Sequence, residues 1–180
     1  DEDDEFTRNY SYIRHTINKE GNISKISYHD AEGNPAFCED GYAVKNLEYD
    51  DQFRILSESY LGTDGQPGQA DGGYSQVKYT YGSDPLDKAT VIEYLDRNGN
   101  LTLTTKLGYA YIHYDRPDQG RRIIRSYYDA SGMLISLSKY GYAIMEQLYD
   151  ERGFKIQESY YDTKRNPTCR KDYRIAEIHY

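Results

Sequence analysis

One short phrase recurs five times along the chain at a nearly constant interval. Its first copy is Ser27–Gly33, and the tyrosine at the second position of each copy marks the period. These tyrosines are Tyr28, Tyr60, Tyr94, Tyr127 and Tyr160, so the successive steps are 32, 34, 33 and 33 residues. A fixed period of this size is typical of repeat proteins, in which each copy is one supersecondary unit that packs against its neighbours.

The composition indicates which side chain packs these copies together. The mean hydropathy is −0.94, yet 14% of the residues are aromatic, with 22 tyrosines, 4 phenylalanines and no tryptophan. Disordered chains are depleted in aromatic residues, so we expect a folded chain. A tyrosine ring buries apolar area while its hydroxyl remains hydrogen-bonded. The composition therefore predicts a thin β-structure in which tyrosine is the main packing residue.

Each copy carries three landmarks that predict strands joined by tight turns. The first is an Asp-x-x-Gly turn, in which aspartate caps the turn and glycine adopts a positive φ angle. The second is Gly-Tyr-Ala, and the third is Tyr-Asp. Examples are Asp129–Gly132, Gly141–Ala143 and Tyr149–Asp150. The runs between turns, such as 109–114 and 144–149, are rich in β-branched and aromatic residues. We predict an all-β fold of tandem β-hairpin repeats of about 33 residues. These would form an elongated antiparallel sheet or a coiled β-array.

The repeat register divides the chain into two parts. Residues 1–8 form an acidic tail that we expect to be solvated. Residues 9–180 form a single β-repeat array of about five units, which start near 28, 60, 94, 127 and 160, with a half unit at 9–27. Because the array starts and stops within a unit, we expect a piece of a longer protein. Exposed edge strands predict either end-to-end self-association or flanking domains. Whether the array is open or closed is left undecided.

Charge and cysteine content exclude some classes of partner. The net charge of −8 and the pI near 5.0 argue against binding to nucleic acid or to an anionic membrane surface. The chain has no apolar run near the ~20 residues that a membrane span needs, so no membrane insertion is expected. Cys38 and Cys169 fall in similar places of the first and fifth units. We expect both thiols to be free, since a disulfide between them would require the array to close on itself.

The recurrent Tyr-Asp-x-x-Gly phrase resembles the tyrosine-aspartate repeats (YD or RHS type) of bacterial cell-surface and secreted proteins. It is also similar, more weakly, to the aromatic-glycine variant of MORN repeats, which build single-layered antiparallel sheets. The resemblance covers almost the whole chain. It implies an array of β-strands with a role at the cell surface or in a secreted protein, and it implies no shared ligand.

Candidate catalytic groups are few, and we expect no enzyme, no cofactor and no metal. The histidines His113 and His179 are best explained as substituents of a repeated strand face, and no nucleophile or phosphate-binding motif is present. The segment Asp96–Asn100 places oxygen atoms at alternating positions, as calcium loops do. It lacks the distal acid of an EF-hand, so a simple hairpin turn is favoured over a weak calcium site.

The tyrosines are the most plausible functional feature. One tyrosine per Gly-Tyr landmark would form a ladder if equivalent positions stack, and aromatic ladders bind glycans, cations or extended peptides. These candidate ligand-binding residues are Tyr42, Tyr74, Tyr109, Tyr142 and Tyr173. The alternative is that the ladder only packs, which we favour. We therefore expect a non-enzymatic interaction or structural module that binds a protein or cell-envelope partner. A glycan- or cell-wall-binding module is the second hypothesis.

Overall fold

The computed structural model describes residues 10–82, 84 and 86–180. The predicted acidic tail at 1–8 lies outside this range. The chain divides into two compact units, the first comprising residues up to Val77 together with Asp96–Gly99, and the second comprising Lys78–Leu95 and Asn100–Tyr180. The boundary therefore falls within one strand, Gln76–Tyr81. The prediction that residues 9–180 form a single array stays a prediction.

The described residues form eleven β-strands and one short 3-10 turn, which confirms the all-β prediction. In chain order, the strands are β1 Tyr12–Ile17, β2 Ile23–His29, β3 Val44–Tyr49, β4 Ile55–Leu61, β5 Gln76–Tyr81, β6 Ala89–Leu95, β7 Tyr111–Asp115, β8 Arg122–Tyr128, β9 Ile144–Tyr149, β10 Lys155–Tyr161 and β11 Glu177–His179. The 3-10 turn is Asp118–Gly120. Within the described part of the chain, no helix is long and apolar enough to cross a membrane.

Within each unit, strands that follow one another in the sequence pair antiparallel. In the first unit β1 pairs with β2, β2 with β3, and β3 with β4. In the second unit the same order runs from β6 to β11. Short and long connections alternate along the chain. This alternation explains why the aspartate turns are unevenly spaced in the sequence.

The short connections after β3 and β9 are single aspartate turns, as the sequence predicts, whereas Asn18 caps the turn after β1. After β3, one carboxylate oxygen of Asp50 accepts the backbone N–H groups of Gln52 and Arg54, each at 2.9 Å. Phe53 occupies the third position after the aspartate with a φ of 63°. In the sister turn after β9, Gly153 holds this position with a φ of 83°. The turn therefore requires a positive φ, whichever residue stands there.

Each long connection contains two turns in succession. In the second unit, an aspartate turn begins at Asp129, and an isolated bridge between Tyr128 and Leu134 follows it. The second turn is closed by the N–H of Leu137, which donates to the carbonyl of Tyr142 at 2.9 Å. Gly141 lies in this turn with a φ of 82°, so its positive φ is the reason for the glycine before the landmark tyrosine.

Tyrosine rings form much of the interior in both units. In the second unit the buried cluster consists of Ile112, Tyr127, Leu137, Tyr142, Met145 and Tyr160. Tyr160 is 0% exposed and is the largest fully buried side chain among the described residues. In the first unit Tyr42 and Tyr60 are buried beside Ala43. Tyrosine is therefore the main packing residue, as the composition predicts.

Both cysteines are free, as predicted. Cys38 is buried at the start of a second turn, where its N–H donates to the carbonyl of Tyr42 at 2.8 Å. Cys169 is exposed. In the last copy the corresponding turn starts at Arg170, one residue after Cys169, since the N–H of Arg170 donates to the carbonyl of Ile175. The two thiols therefore occupy neighbouring, not identical, positions of the repeat.

Candidate functional site

In the second unit, two kinds of tyrosine alternate in one row of rings. The repeat-opening tyrosines are the next-to-last residues of β6, β8 and β10, and the Gly-Tyr tyrosines lie at the ends of the long connections. The centroid separations are 5.8 Å for Tyr94–Tyr109, 5.0 Å for Tyr109–Tyr127, 6.0 Å for Tyr127–Tyr142 and 4.9 Å for Tyr142–Tyr160. The planes are tilted or edge-on, which is the favourable geometry for aromatic pairs at these distances.

The first unit carries a row of the same kind. Its centroid separations are 4.8 Å for Tyr10–Tyr28, 5.9 Å for Tyr28–Tyr42, 4.8 Å for Tyr42–Tyr60 and 5.7 Å for Tyr60–Tyr74. We call both rows the tyrosine ladder. The ladder includes four of the five predicted site residues, namely Tyr42, Tyr74, Tyr109 and Tyr142.

The sequence prediction missed more than half of the ladder. The prediction assumed that consecutive Gly-Tyr tyrosines contact each other. In each unit, however, a repeat-opening tyrosine lies between two consecutive Gly-Tyr tyrosines. The reason lies in the backbone: the N–H of Tyr127 donates to the carbonyl of Ala143 at 3.1 Å, which places Tyr127 beside Tyr142. The sequence did carry a signal. The spacing from opening tyrosine to Gly-Tyr tyrosine is 14 or 15 residues in each of the first four copies.

Tyr173, expected as the fifth rung, lies outside the ladder, and its role in ligand binding stays a prediction. In the fifth copy the N–H of Tyr160 donates to the carbonyl of Ala176 at 3.0 Å, as Tyr127 donates to Ala143 in the fourth. Ile175 therefore takes the place of Tyr142. Tyr173 is 57% exposed, and its ring packs under the guanidinium of Arg170 at 4.6 Å.

The remaining ladder rings are largely enclosed. Tyr42 and Tyr142 are buried, and Tyr74 and Tyr109 are half-buried. Burial is the main cause that raises the pKa of Tyr42, Tyr109 and Tyr142, and the neighbouring phenols add to it for Tyr42 and Tyr109. Enclosed rings hold the hairpins together, and they offer little free face to a ligand.

A buried carboxylate anchors the ladder in the last copy. The hydroxyl of Tyr160 donates to Glu158, the amide of Gln147 donates to it at 2.7 Å, and the Lys155 ammonium lies 2.9 Å away. Burial by itself would raise the pKa of Glu158, but these three hydrogen bonds together lower it to about 2. Burial and the bond to Glu158 raise the pKa of Tyr160 to about 12.

The first unit contains a simpler version of this arrangement. The hydroxyl of Tyr60 donates to Glu58 at 2.7 Å, and the ammonium of Lys45 lies 2.5 Å from the same carboxylate oxygen. Lys45 faces Tyr60 directly across the β3–β4 pair. Both carboxylates therefore act as acceptors for a ladder phenol, and a lysine balances each charge.

The second turns of the long connections form five loops that reach the surface. We call them the Gly-Tyr loops and number them in chain order as 38–42, 70–74, 104–109, 137–142 and 170–175. Consecutive loops touch through their backbones in two places. The N–H of Asp71 donates to the carbonyl of Asp40 at 2.7 Å, and the N–H of Lys171 donates to the carbonyl of Tyr140 at 2.9 Å.

The polar clusters outside the ladder include a buried long-range pair, in which the Arg116 guanidinium lies 2.5 Å from the Asp84 carboxylate and donates to the carbonyl of Ala89 at 3.0 Å. The Asp96 carboxylate accepts the N–H of Asn98 at 2.8 Å, which is the hairpin turn that the sequence favoured at this segment. His113 and His179 each approach an acidic side chain two residues away on their own strand, Asp115 at 3.5 Å and Glu177 at 2.6 Å. Within the residues that the structure describes, no group of three or more His, Cys, Asp or Glu side chains is placed to hold a metal ion.

No protein-family model matches the chain, and no curated protein matches it.

Proposed function

We propose that the chain is a non-enzymatic interaction module, a β-repeat array of a bacterial surface or secreted protein that binds a protein or cell-envelope partner. One observation carries this proposal: the repeated ladder tyrosines and the alanines of the Gly-Tyr-Ala copies line the interior, and the loop residues that differ between copies are mostly exposed. A constant interior that carries variable surface side chains is the usual construction of repeat proteins that bind partners.

The Gly-Tyr loops illustrate this division. The first residue of each of the first four loops is buried, as are the alanines that follow the loops in the Gly-Tyr-Ala copies. These residues are Cys38, Ala70, Thr104 and Leu137, with Ala43, Ala110 and Ala143. Most of the residues between them are exposed, and they differ between copies apart from the glycine near the end of the first four loops and the lysine that the third and fourth loops share. They include Glu39-Asp40, Asp71, Thr105-Lys106-Leu107, Ser138-Lys139 and Lys171-Asp172-Tyr173. Exposed loop residues on a rigid frame are common binding positions in proteins.

The surface or secreted context is supported by the resemblance to tyrosine-aspartate repeats. The edge strand β1 is consistent with the further proposal of self-association or flanking domains. All six residues of β1 are exposed, and among the described residues β1 pairs with β2 alone. An unpaired edge of this kind is a template for a strand from another chain or domain.

The glycan-binding hypothesis receives less support. A sugar-binding platform needs accessible ring faces, and the ladder tyrosines Tyr42 and Tyr142 pack between neighbouring rings with little exposed surface. The half-buried rings of Tyr74 and Tyr109 and the exposed ring of Tyr173 are the places where a sugar could still contact a predicted site residue.

The test compares loop variants with ladder variants on one panel of ligands. Immobilised protein is exposed to purified envelope proteins and to a glycan array. We expect saturable binding to a protein ligand. Replacing Thr105-Lys106-Leu107 by Ser-Ser-Ser should weaken that binding while leaving the thermal unfolding midpoint unchanged, because these side chains are exposed. The matched control is Tyr109→Phe, which keeps the packed ring and should keep binding.

Two outcomes would contradict the proposal. Binding confined to the glycan array and lost in a folded Tyr109→Ala variant would favour the second hypothesis. Turnover of any substrate by the purified chain would exclude the non-enzymatic assignment.

A further inference from the structure

The exposed residues of the Gly-Tyr loops reverse their charge along the chain. The first two loops carry Glu39, Asp40 and Asp71, whereas the third and fourth carry Lys106 and Lys139. This reversal is local, because the chain as a whole has a net charge of −8. The third and fourth loops both belong to the second unit. The sequence therefore places a basic patch in an acidic protein at equivalent positions of two adjacent copies.

A groove lies between these two loops. We call it the loop groove; it has a volume of about 240 Å³. Its lining combines rings of the ladder with the side chains of the loops. Tyr109 and Tyr140 contribute aromatic surface, Leu107 contributes an aliphatic side chain that is partly exposed, and Lys106 and Lys139 come one from each loop.

Lysine is the charged residue type in the lining of the loop groove. No aspartate or glutamate is among the residues that line it, and its polar side chains are those of lysine, serine, threonine and tyrosine. The ammonium of Lys139 lies 5.2 Å from the centre of the Tyr140 ring, an interaction that holds the charge beside the aromatic surface. Lysine only donates hydrogen bonds, so the groove is matched to a ligand rich in acceptors.

We infer that the loop groove binds a short acidic segment of a partner protein, with one apolar side chain seated between Leu107 and Tyr140. The flanking carboxylates of the segment would pair with Lys106 and Lys139. This inference rests on the proposed interaction function and names the partner's chemistry. The volume is below the ~300 Å³ of typical small-molecule pockets, and it suits a single side chain.

The lining favours a peptide over a sugar. A carbohydrate presents many hydroxyl donors, which need acceptor groups placed around the ring. Carboxylate and amide side chains, the strongest acceptors, are missing from the groove lining. An acidic peptide instead presents carboxylate acceptors and an apolar anchor, which correspond to the lysines and to the Leu107–Tyr140 surface.

The probe for the test is the blocked peptide Glu-Glu-Phe-Glu-Glu with a fluorescent label, followed by anisotropy at low ionic strength. The intact chain should bind it saturably. The charge reversal Lys106→Glu with Lys139→Glu should weaken binding by about tenfold or more, because two attractive pairs become repulsive. A probe with glycine in place of phenylalanine should bind about tenfold more weakly, since the apolar anchor is lost.

The matched control makes the same change of charge elsewhere. Lys19 and Lys164 are exposed residues of two aspartate- or asparagine-capped turns. Lys19→Glu with Lys164→Glu should reduce affinity by no more than about twofold, an effect of net charge alone. All variants must keep the thermal unfolding midpoint of the intact chain, which we expect because the four lysines are exposed.

The outcomes separate this inference from the proposed function. Equal weakening by the two double variants would show that the peptide binds elsewhere. This result would overturn the assignment of the peptide site to the loop groove, and the proposed interaction function would remain. Binding of a tetragalacturonate probe that depends on Lys106 and Lys139, with no binding of the peptide, would overturn the peptide assignment in favour of an anionic glycan. Absence of binding by both probes would overturn the inference, and the ligand panel would then decide the proposed function on its own.

Discussion

The fourth and fifth Gly-Tyr loops have the same backbone and opposite side-chain chemistry. Both are closed by a hydrogen bond of 2.9 Å, from Leu137 to Tyr142 in the fourth and from Arg170 to Ile175 in the fifth. The fourth loop is apolar inside, and Tyr142 is 4% exposed. In the fifth loop Ile175 is 44% exposed. The comparison shows that the turn forms with or without the Gly-Tyr landmark. The burial of the last loop residue, in contrast, differs between the two loops.

The fifth copy replaces apolar packing by a polar network. Arg170 stands where the fourth copy has buried Leu137, and Glu158 stands where it has Arg125. The guanidinium of Arg170 lies 3.3 Å from the Tyr160 hydroxyl and 3.7 Å from the Glu158 carboxylate. Ile175 supplies no ring to the ladder. The Tyr160 ring packs against Tyr142, and the Tyr160 hydroxyl forms hydrogen bonds with Glu158 and Arg170.

The largest expected effect is the loss of a ladder ring. Tyr142→Ala should lower the free energy of unfolding by about 3–5 kcal/mol, because it removes a buried aromatic side chain between Tyr127 and Tyr160. Ile175→Ala at the equivalent position should cost about 1 kcal/mol or less, since the side chain is partly exposed. Urea denaturation of both variants measures the difference. Equal losses would show that the two loops pack alike and would remove the basis of the comparison.

The next effect concerns the carboxylate of the fifth copy. Glu158→Gln should destabilise the chain by about 1–3 kcal/mol at pH 7, because a charged acceptor for Tyr160, Gln147 and Lys155 is lost. The exposed Glu151→Gln is the matched control and should change stability by less than about 0.5 kcal/mol.

The same carboxylate predicts a pH dependence. The folded-state pKa of Glu158 is lowered to about 2 from an ordinary value of 4.5. Its contribution to stability is therefore complete above pH 4.5 and is lost as the pH falls from 4.5 towards 2, because the unfolded chain takes up the proton first. The stability of the intact chain should fall across this window more steeply than that of Glu158→Gln. Parallel curves for the two proteins would contradict a stabilising role for the ionised carboxylate.

Gly141→Ala should cost about 1–2 kcal/mol, because Gly141 holds a φ of 82° that a side chain resists. An added Cβ would also lie 2.7 Å from Cγ of Lys171, so the Lys171 side chain would have to shift. The control is Gly21→Ala, where the φ is 88° and the Cβ would meet no atom within 4 Å. Thermal unfolding of the two variants separates the conformational cost from the contact. A neutral result in both would contradict the requirement for positive φ.

The sequence was sufficient for the fold because the turn chemistry is local. Aspartate capping and glycine at positive φ act within five residues, so Asp50 and Gly153 could be interpreted without knowledge of distant partners. The site was harder, since its members come together through the backbone pairing of separate strands. Tyr173 was chosen because it is a tyrosine, but position in the ladder follows hydrogen bonding, and a count of 15 residues from Tyr160 leads to Ile175 instead.

The Glu158 network lay beyond sequence reasoning for a second reason. Glu158 faces Gln147 across the β9–β10 pair, and this register follows an irregularity between Lys155 and Gln157. A bulge of this kind shifts which residues face one another, and it has no dependable signal in one sequence. The approach of Arg170 to Tyr160 likewise depends on the path of a long connection.

The smallest expected effect is a gain at the position where the fifth loop departs from the repeat. Arg174 adopts a φ of 54° where the fourth loop has Gly141, so Arg174→Gly should raise the free energy of unfolding by about 1 kcal/mol. Arg165→Gly tests the same principle in an aspartate turn, because Arg165 has a φ of 66° where the sister turns carry glycine. Both changes act opposite in sign to Gly141→Ala, and thermal unfolding at fixed ionic strength compares the three. Destabilisation by Arg174→Gly would mean that its side chain contributes more to the fifth loop than the strained backbone costs, and the loop would then owe its shape to arginine contacts instead of turn geometry.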